Sequence, residues 1–162
     1  MSSPVYVARR PARSLFVTVR GLRYHLLAWG DPALATPDRP PLVLLHGWMD
    51  VAASFQFMVD ALAGERYVVA ADWRGFGLSD NGGGDSYWFP DYLGDLDALA
   101  DALAPGQPIF LLGHSMGGNV VMSYAGIRPA RIRRLVNLEG FGLPDMAADR
   151  APERAAKWLD EL

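Results

Sequence analysis

Between Ser14 and Trp29 the chain alternates polar and apolar residues on either side of Arg20 and Gly21, in the stretch SLFVTVRGLRYHLLAWG. Period-two alternation about a two-residue turn ending in glycine predicts a β-hairpin. The pattern then changes. PLVLLHG, starting at Pro41, and YVVAAD, starting at Tyr67, are short continuous apolar runs, as is PIFLLG from Pro108, and RRLVNLEG from Arg133 reads as a further strand. Between them lie SFQFMVDALA from Ser54, YLGDLDALADALA from Tyr92 and MGGNVVMSYAGI from Met116, whose apolar residues recur at helical spacing.

Strand and helix therefore alternate strictly after the hairpin. Strands that are apolar at every position are buried on both faces. The fold class expected is α/β: a mostly parallel sheet with helices on both faces, entered through an N-terminal antiparallel hairpin. Ligands in such sheets bind beyond the carboxyl ends of the strands. Those ends carry His46-Gly47-Trp48, Asp72-Trp73-Arg74-Gly75, Gly113-His114-Ser115-Met116-Gly117 and Glu139-Gly140-Phe141-Gly142. One rim thus collects polar residues and glycines.

Composition narrows the function. With 162 residues, half of them hydrophobic, the chain can build one domain with a real core. A net charge of −3 gives no general attraction to nucleic acid or to an anionic membrane surface, so a small-molecule substrate is the expected partner. The absence of cysteine excludes disulfides, thiolate nucleophiles and cysteine-type zinc sites, and the cytoplasm is the simplest expected location. No segment has membrane-spanning length, and MSSPVYVARRPARS reads as a loose N-terminal arm.

The chemistry concentrates in GHSMG, Gly113 to Gly117, which fits the pattern G-x-S-x-G between a strand and a helix. A sharp turn there forces Ser115 into a strained backbone conformation and holds its hydroxyl above the sheet, while the flanking glycines remove Cβ atoms that would collide. The same turn places the N–H of Met116 at a helix N-terminus, where unpaired donors and the dipole favour a developing negative charge. A second donor is expected from the loop after PLVLLHG, where Gly47 permits a tight backbone and the Trp48 N–H can point inward.

With LLHGWMD, DWRGFGLSD and GHSMGG in this order, the chain resembles the serine-nucleophile branch of the α/β-hydrolase superfamily over nearly its whole length. The resemblance implies that Ser115 attacks an acyl carbonyl, that an acyl-enzyme forms and is relieved by water, and that Trp48 and Met116 stabilise the oxyanion. It implies no metal and no organic cofactor. Acyltransferases, thioesterases, C–C hydrolases, lyases and cofactor-free haloperoxidases share this turn. Epoxide hydrolases and dehalogenases of the fold place a carboxylate at the Ser115 position, so Ser115 disfavours them.

In this architecture the acid and then the histidine follow the serine. Residues 116 to 162 contain no histidine; His25, His46 and His114 all precede Ser115. Glu139 is the candidate acid, at a position where some members of the superfamily carry it. The resemblance also implies further strands, so the chain reads as an N-terminal portion: residues 1–143 as core and 144–162, with RAPERAAKWLDEL, as the start of a helical cap. Such a portion is expected to be inactive alone and to self-associate through the edge strand RRLVNLEG. The alternative is a non-catalytic domain with a binding role.

Three other stretches take structural readings. GFGLSD departs from a dinucleotide-binding loop at Asp80 and reads as a structural loop. The arginines of RPARIRRL read as solvated surface charges near a helix C-terminus. Tyr87, Trp88 and Phe89, which lead into a helix, are expected to pack beneath it as core.

Overall fold

The computed structural model describes residues 6–84 and 87–140, together with scattered positions from 148 to 160. Six strands form one sheet: β1 (Arg13–Val19), β2 (Leu22–Trp29), β3 (Leu42–Leu45), β4 (Val68–Ala71), β5 (Ile109–His114) and β6 (Ile132–Leu138). Their spatial order is β1-β2-β4-β3-β5-β6. The hairpin β1–β2 is antiparallel and joins the sheet through an antiparallel β2–β4 pair, whereas β4–β3, β3–β5 and β5–β6 are parallel. Arg20 and Gly21, at the hairpin tip, both have positive φ, 48° and 82°, the conformation that matches strand twist in a two-residue turn.

Successive residues of the central strands serve two cores. Val43, Leu45, Val69, Ala71, Ile109 and Leu111 face helices α2 (Phe89–Leu103) and α3 (Met116–Ile127), meeting Leu96, Leu99, Val120, Val121 and Tyr124. Leu42, Leu44, Val68, Ala70 and Leu112 face the other way, toward Phe55 and Val59, the latter on the short helix α1 (Gln56–Ala61). Helices on both faces explain why β3 and β4 lack polar residues: all four positions of each are buried.

The expected elements form with small shifts. Helix α2 starts at Phe89 rather than near Tyr92, because Pro90 fits its first turn, where no N–H partner is needed. The aromatic residues ahead of it correct the sequence reading: Trp88 is 69% exposed, and Tyr87 and Phe89 are also exposed rather than core. The N-terminal arm, from Tyr6 on, is docked rather than loose. Asp60 on α1 accepts hydrogen bonds from the Tyr6 hydroxyl and from the N–H groups of Arg9 and Arg10 (both 2.9 Å), and Arg10 reaches the carbonyls of Val59 and Leu62. The expected cap segment 144–162 lies mostly outside the described residues, which there include a 3-10 turn at Ala148–Arg150.

Among the described residues β6 pairs only with β5 and forms a sheet edge. Leu135 packs on the core, but Val136 and Leu138 are exposed on the α1 side. Unpaired backbone groups beside apolar side chains template pairing with another strand. The 162-residue chain is therefore expected to self-associate, giving a concentration-dependent mass in size-exclusion chromatography with light scattering; a lysine at Val136 should reduce it. A strictly monomeric chain at high concentration would contradict this.

Candidate active site

Ser115 sits between β5 and α3 with φ 51° and ψ −115°, a region a non-glycine residue occupies only when its surroundings impose it. The imposition is visible. Its N–H donates to Leu138 O of β6 (2.8 Å), and its carbonyl accepts from Asn119 N (3.0 Å). A Cβ on Gly113 would lie 2.3 Å from Gly117 O, and one on Gly117 would lie 2.4 Å from Leu45 O. These contacts are to backbone and cannot yield, so the spacing of GHSMG reflects α3 crossing directly over the ends of β5 and β3. The Ser115 side chain is half-buried at this rim.

The loop after β3 packs onto the same turn. A Cβ on Gly47 would lie 3.0 Å from Ser115 Cβ, which places the loop backbone beside the serine side chain. Neither Trp48 N–H nor Met116 N–H has a hydrogen-bond partner among the described residues. The Trp48 ring is exposed and meets Phe76 edge-on at 5.3 Å. His46, fully buried, fixes the start of the loop: its Nδ1 lies 2.7 Å from Gly47 O and its Nε2 accepts from Trp73 N (3.0 Å), while Trp73 Nε1 donates to His46 O (3.0 Å). Because Nε2 accepts, the proton of the neutral ring is on Nδ1 and donates to the Gly47 carbonyl.

Burial pushes the His46 pKa below its ordinary value of 6.5. The unfolded chain therefore takes up a proton at this residue before the folded one does. Stability from the neutral ring is complete above pH 6.5 and declines as pH falls from there toward the folded-state value. Thermal melting between pH 7.5 and 5 is expected to fall more steeply in the parent chain than in His46→Asn. Parallel curves would show that His46 does not carry this acid sensitivity.

The loop after β4 is tied from beneath. The Asp72 carboxylate accepts from Ala52 N (2.7 Å), Leu78 N (2.9 Å) and His25 Nδ1 (2.7 Å). Arg74 forms a two-point ion pair with Asp95 of α2, Nε–Oδ2 2.5 Å and Nη2–Oδ1 2.7 Å. GFGLSD is thus a structural loop, which carries Phe76 to both His46 and Trp48. The arginines after α3 are engaged at the surface, Arg128 with Asp97 and Arg131 with Asp101, although Arg131 is largely covered.

Of the three histidines, none is hydrogen-bonded to Ser115 Oγ. His25 is held by Asp72 and Ser14, His46 by Gly47 and Trp73, and His114 has its Nε2 4.0 Å from Glu139 Oε2. Glu139 follows the strand residue that binds the Ser115 N–H. It has positive φ, 55°, and a 78% exposed side chain. The turn around it is closed by Asn137, which bonds Gly140 N and O. Phe141 and Gly142, also expected at this rim, lie outside the described residues. Among the described residues there is no cluster of three or more metal-ligating side chains and no helix long and apolar enough to cross a membrane. The parts that sequence reasoning missed are the Asp95 and Asp72 networks, whose partners are distant in the chain.

A strained serine over parallel strands, closely packed by a glycine loop, defines a class, and comparison with known proteins agrees. The family model described as alpha/beta hydrolase fold matches residues 40–162, and the chain belongs to that family. It is 35% identical over 111 residues to a serine hydrolase-like protein of Danio rerio, covering 67% of this chain and 34% of that one. It is 33% identical to epoxide hydrolase B of Mycobacterium tuberculosis, covering 74% of this chain and 33% of that one. Among solved structures, the hypothetical protein PA1622 from Pseudomonas aeruginosa PAO1 superposes with a TM-score of 0.76 at 33% identity, over 91% of this chain and 50% of that one. The chain spans about a third to a half of the length of the relatives it matches.

Proposed function

We propose that this chain carries the nucleophile and oxyanion-binding elements of a serine hydrolase acting on an ester or related acyl bond of a small molecule. The observation that carries this reading is the Ser115 backbone, φ 51° and ψ −115°, locked by β6 and flanked by glycines that admit no Cβ. Such a turn acts as a nucleophile elbow: it presents Oγ to an incoming carbonyl rather than packing it away. The N–H groups of Met116 and Trp48 serve as the oxyanion hole, since both are free of other partners among the described residues and their loops meet at Ser115.

The reaction forms a bond from Ser115 Oγ to the acyl carbon and then breaks the bond to the alcohol leaving group; water afterwards releases the acid. Glu139, adjacent to the strand residue that binds Ser115, is the candidate acid. The general base is a histidine other than His25 and His46, whose ring nitrogens are engaged elsewhere. A serine where epoxide hydrolases need a carboxylate separates this chain from the epoxide hydrolase among its relatives. A cytoplasmic location and a substrate reached without cofactor complete the reading.

The test is covalent labelling. In a form of the protein that includes a histidine able to reach Oγ, a fluorophosphonate should modify the peptide containing Ser115, and Ser115→Ala should remove that adduct. Absence of modification at Ser115 in that form, folded, would reject the assignment and favour a non-catalytic, binding role for the domain.

A further inference from the structure

A second serine sits in a hydrogen-bonded chain with a histidine and an aspartate, on the α1 side of the sheet and independent of the elbow. Ser14 Oγ of edge strand β1 lies 2.8 Å from His25 Nε2 on β2, and His25 Nδ1 lies 2.7 Å from Asp72 Oδ2 at the end of β4. His25 and Asp72 are 5% and 2% exposed, whereas Ser14 is exposed.

The direction of each bond follows from the donors present. Asp72 also accepts from the N–H groups of Ala52 and Leu78, so its two oxygens act as acceptors throughout and the group is a carboxylate. His25 Nδ1 must then carry the proton it shares with Asp72. In the neutral ring this leaves Nε2 bare, and the Ser14 hydroxyl is the donor to it. The backbone of His25 is held as well, through its N–H to Ser79 Oγ, which in turn donates to Asp72 O. This is the bond order by which a buried carboxylate fixes an imidazole as base toward a serine.

The register supplies a surface for an acyl donor. Phe16 is paired with His25 across the hairpin, its ring centroid is 5.1 Å from the imidazole, and it is about half exposed, with the Arg23 guanidinium 4.7 Å from its centroid. An aryl group can lie against this aromatic and cationic patch beside the Ser14 hydroxyl.

We propose that Ser14, activated by His25 and Asp72, is a second nucleophile that accepts an acyl group from activated aryl esters. Ser14 Oγ bonds to the acyl carbon as the bond to the aryl oxygen breaks. Its proton passes to His25 Nε2 and leaves to the departing aryloxide or to water, and Asp72 stabilises the imidazolium in between.

The experiment uses the 162-residue chain carrying Ser115→Ala, treated with p-nitrophenyl acetate and followed by intact mass and peptide mapping. One acetyl group should appear on Ser14, about a hundredfold faster than on the exposed Ser123, the increment expected of an assisted hydroxyl over an unassisted one. Ser14→Ala, an exposed edge substitution, should remove it, and His25→Gln should slow it about a hundredfold. Acetylation of Ser14 at the rate of Ser123 would overturn the proposal, as would an unchanged rate in folded His25→Gln. Should His25→Gln fail to fold, the rate of Ser14 against Ser123 decides alone.

Discussion

Replacing Ser115 by alanine is expected to lower turnover about 10⁴- to 10⁶-fold in any form of the protein that includes a histidine able to reach Oγ. The size follows from the step removed. Without the hydroxyl no acyl-enzyme forms, and only the oxyanion donors and substrate binding remain to assist attack by water. Ser115→Ala should leave thermal stability nearly unchanged, because the hydroxyl makes no capping hydrogen bond to lose and alanine keeps the same backbone. The 162-residue chain itself should hydrolyse p-nitrophenyl acetate with little Ser115-dependent turnover, since an unassisted hydroxyl is a weak nucleophile at neutral pH. Robust Ser115-dependent turnover by this chain would identify His114, or a second copy of the chain, as the base. A loss of less than about tenfold in a histidine-containing form would remove Ser115 from the mechanism.

The largest stability effect should come from Asp95. Its carboxylate is fully buried and receives Arg74 at two points, Arg20 at 3.0 Å and the Tyr24 hydroxyl. Burial and the neighbouring carboxylate push the Tyr24 hydroxyl far above its usual range, and the hydrogen bonds to Asp95 raise Arg74. Both stay protonated and donate to Asp95 across the physiological range. Removing the acceptor leaves a largely covered Arg74 with only Asp91, 3.7 Å from its Nη1, and a buried phenol without its acceptor. Arg20, more exposed, retains Asp91. Breaking one side of such a buried pair costs about 3 to 5 kcal/mol, and Asp95→Ala should lose that much in urea unfolding. A cost below about 1 kcal/mol, the range of exposed pairs, would show that water replaces the carboxylate. The consequence for function is positional: Asp95 ties the loop bearing Phe76 to α2, and Phe76 packs on both His46 and Trp48.

Both parts of the fold that rest on local pattern were legible in the sequence. The hairpin around Arg20-Gly21 follows from alternation and turn chemistry, and the all-apolar runs of β3, β4 and β5 follow from burial on two faces. The serine turn was legible for a similar reason. Its glycines are demanded by backbone contacts 2.3 to 2.4 Å from any added Cβ, a constraint that leaves no alternative residue at those spacings.

Other features depended on which elements became neighbours. The order of the sheet sets β4 between β2 and β3, and that brings Asp72 to His25, 47 positions away in the chain. Asp95 meets Arg20 and Tyr24 across 75 and 71 positions. Asp60 draws the arm from Tyr6 onto α1, where charge pattern alone suggested a loose segment. Tyr87, Trp88 and Phe89 have the composition of core but enter α2 on its exposed side. Periodicity records how much of a residue is buried and in what rhythm, because those follow from the geometry of its own strand or helix. It does not record the partner, since partners are fixed by the packing of elements that are far apart along the chain.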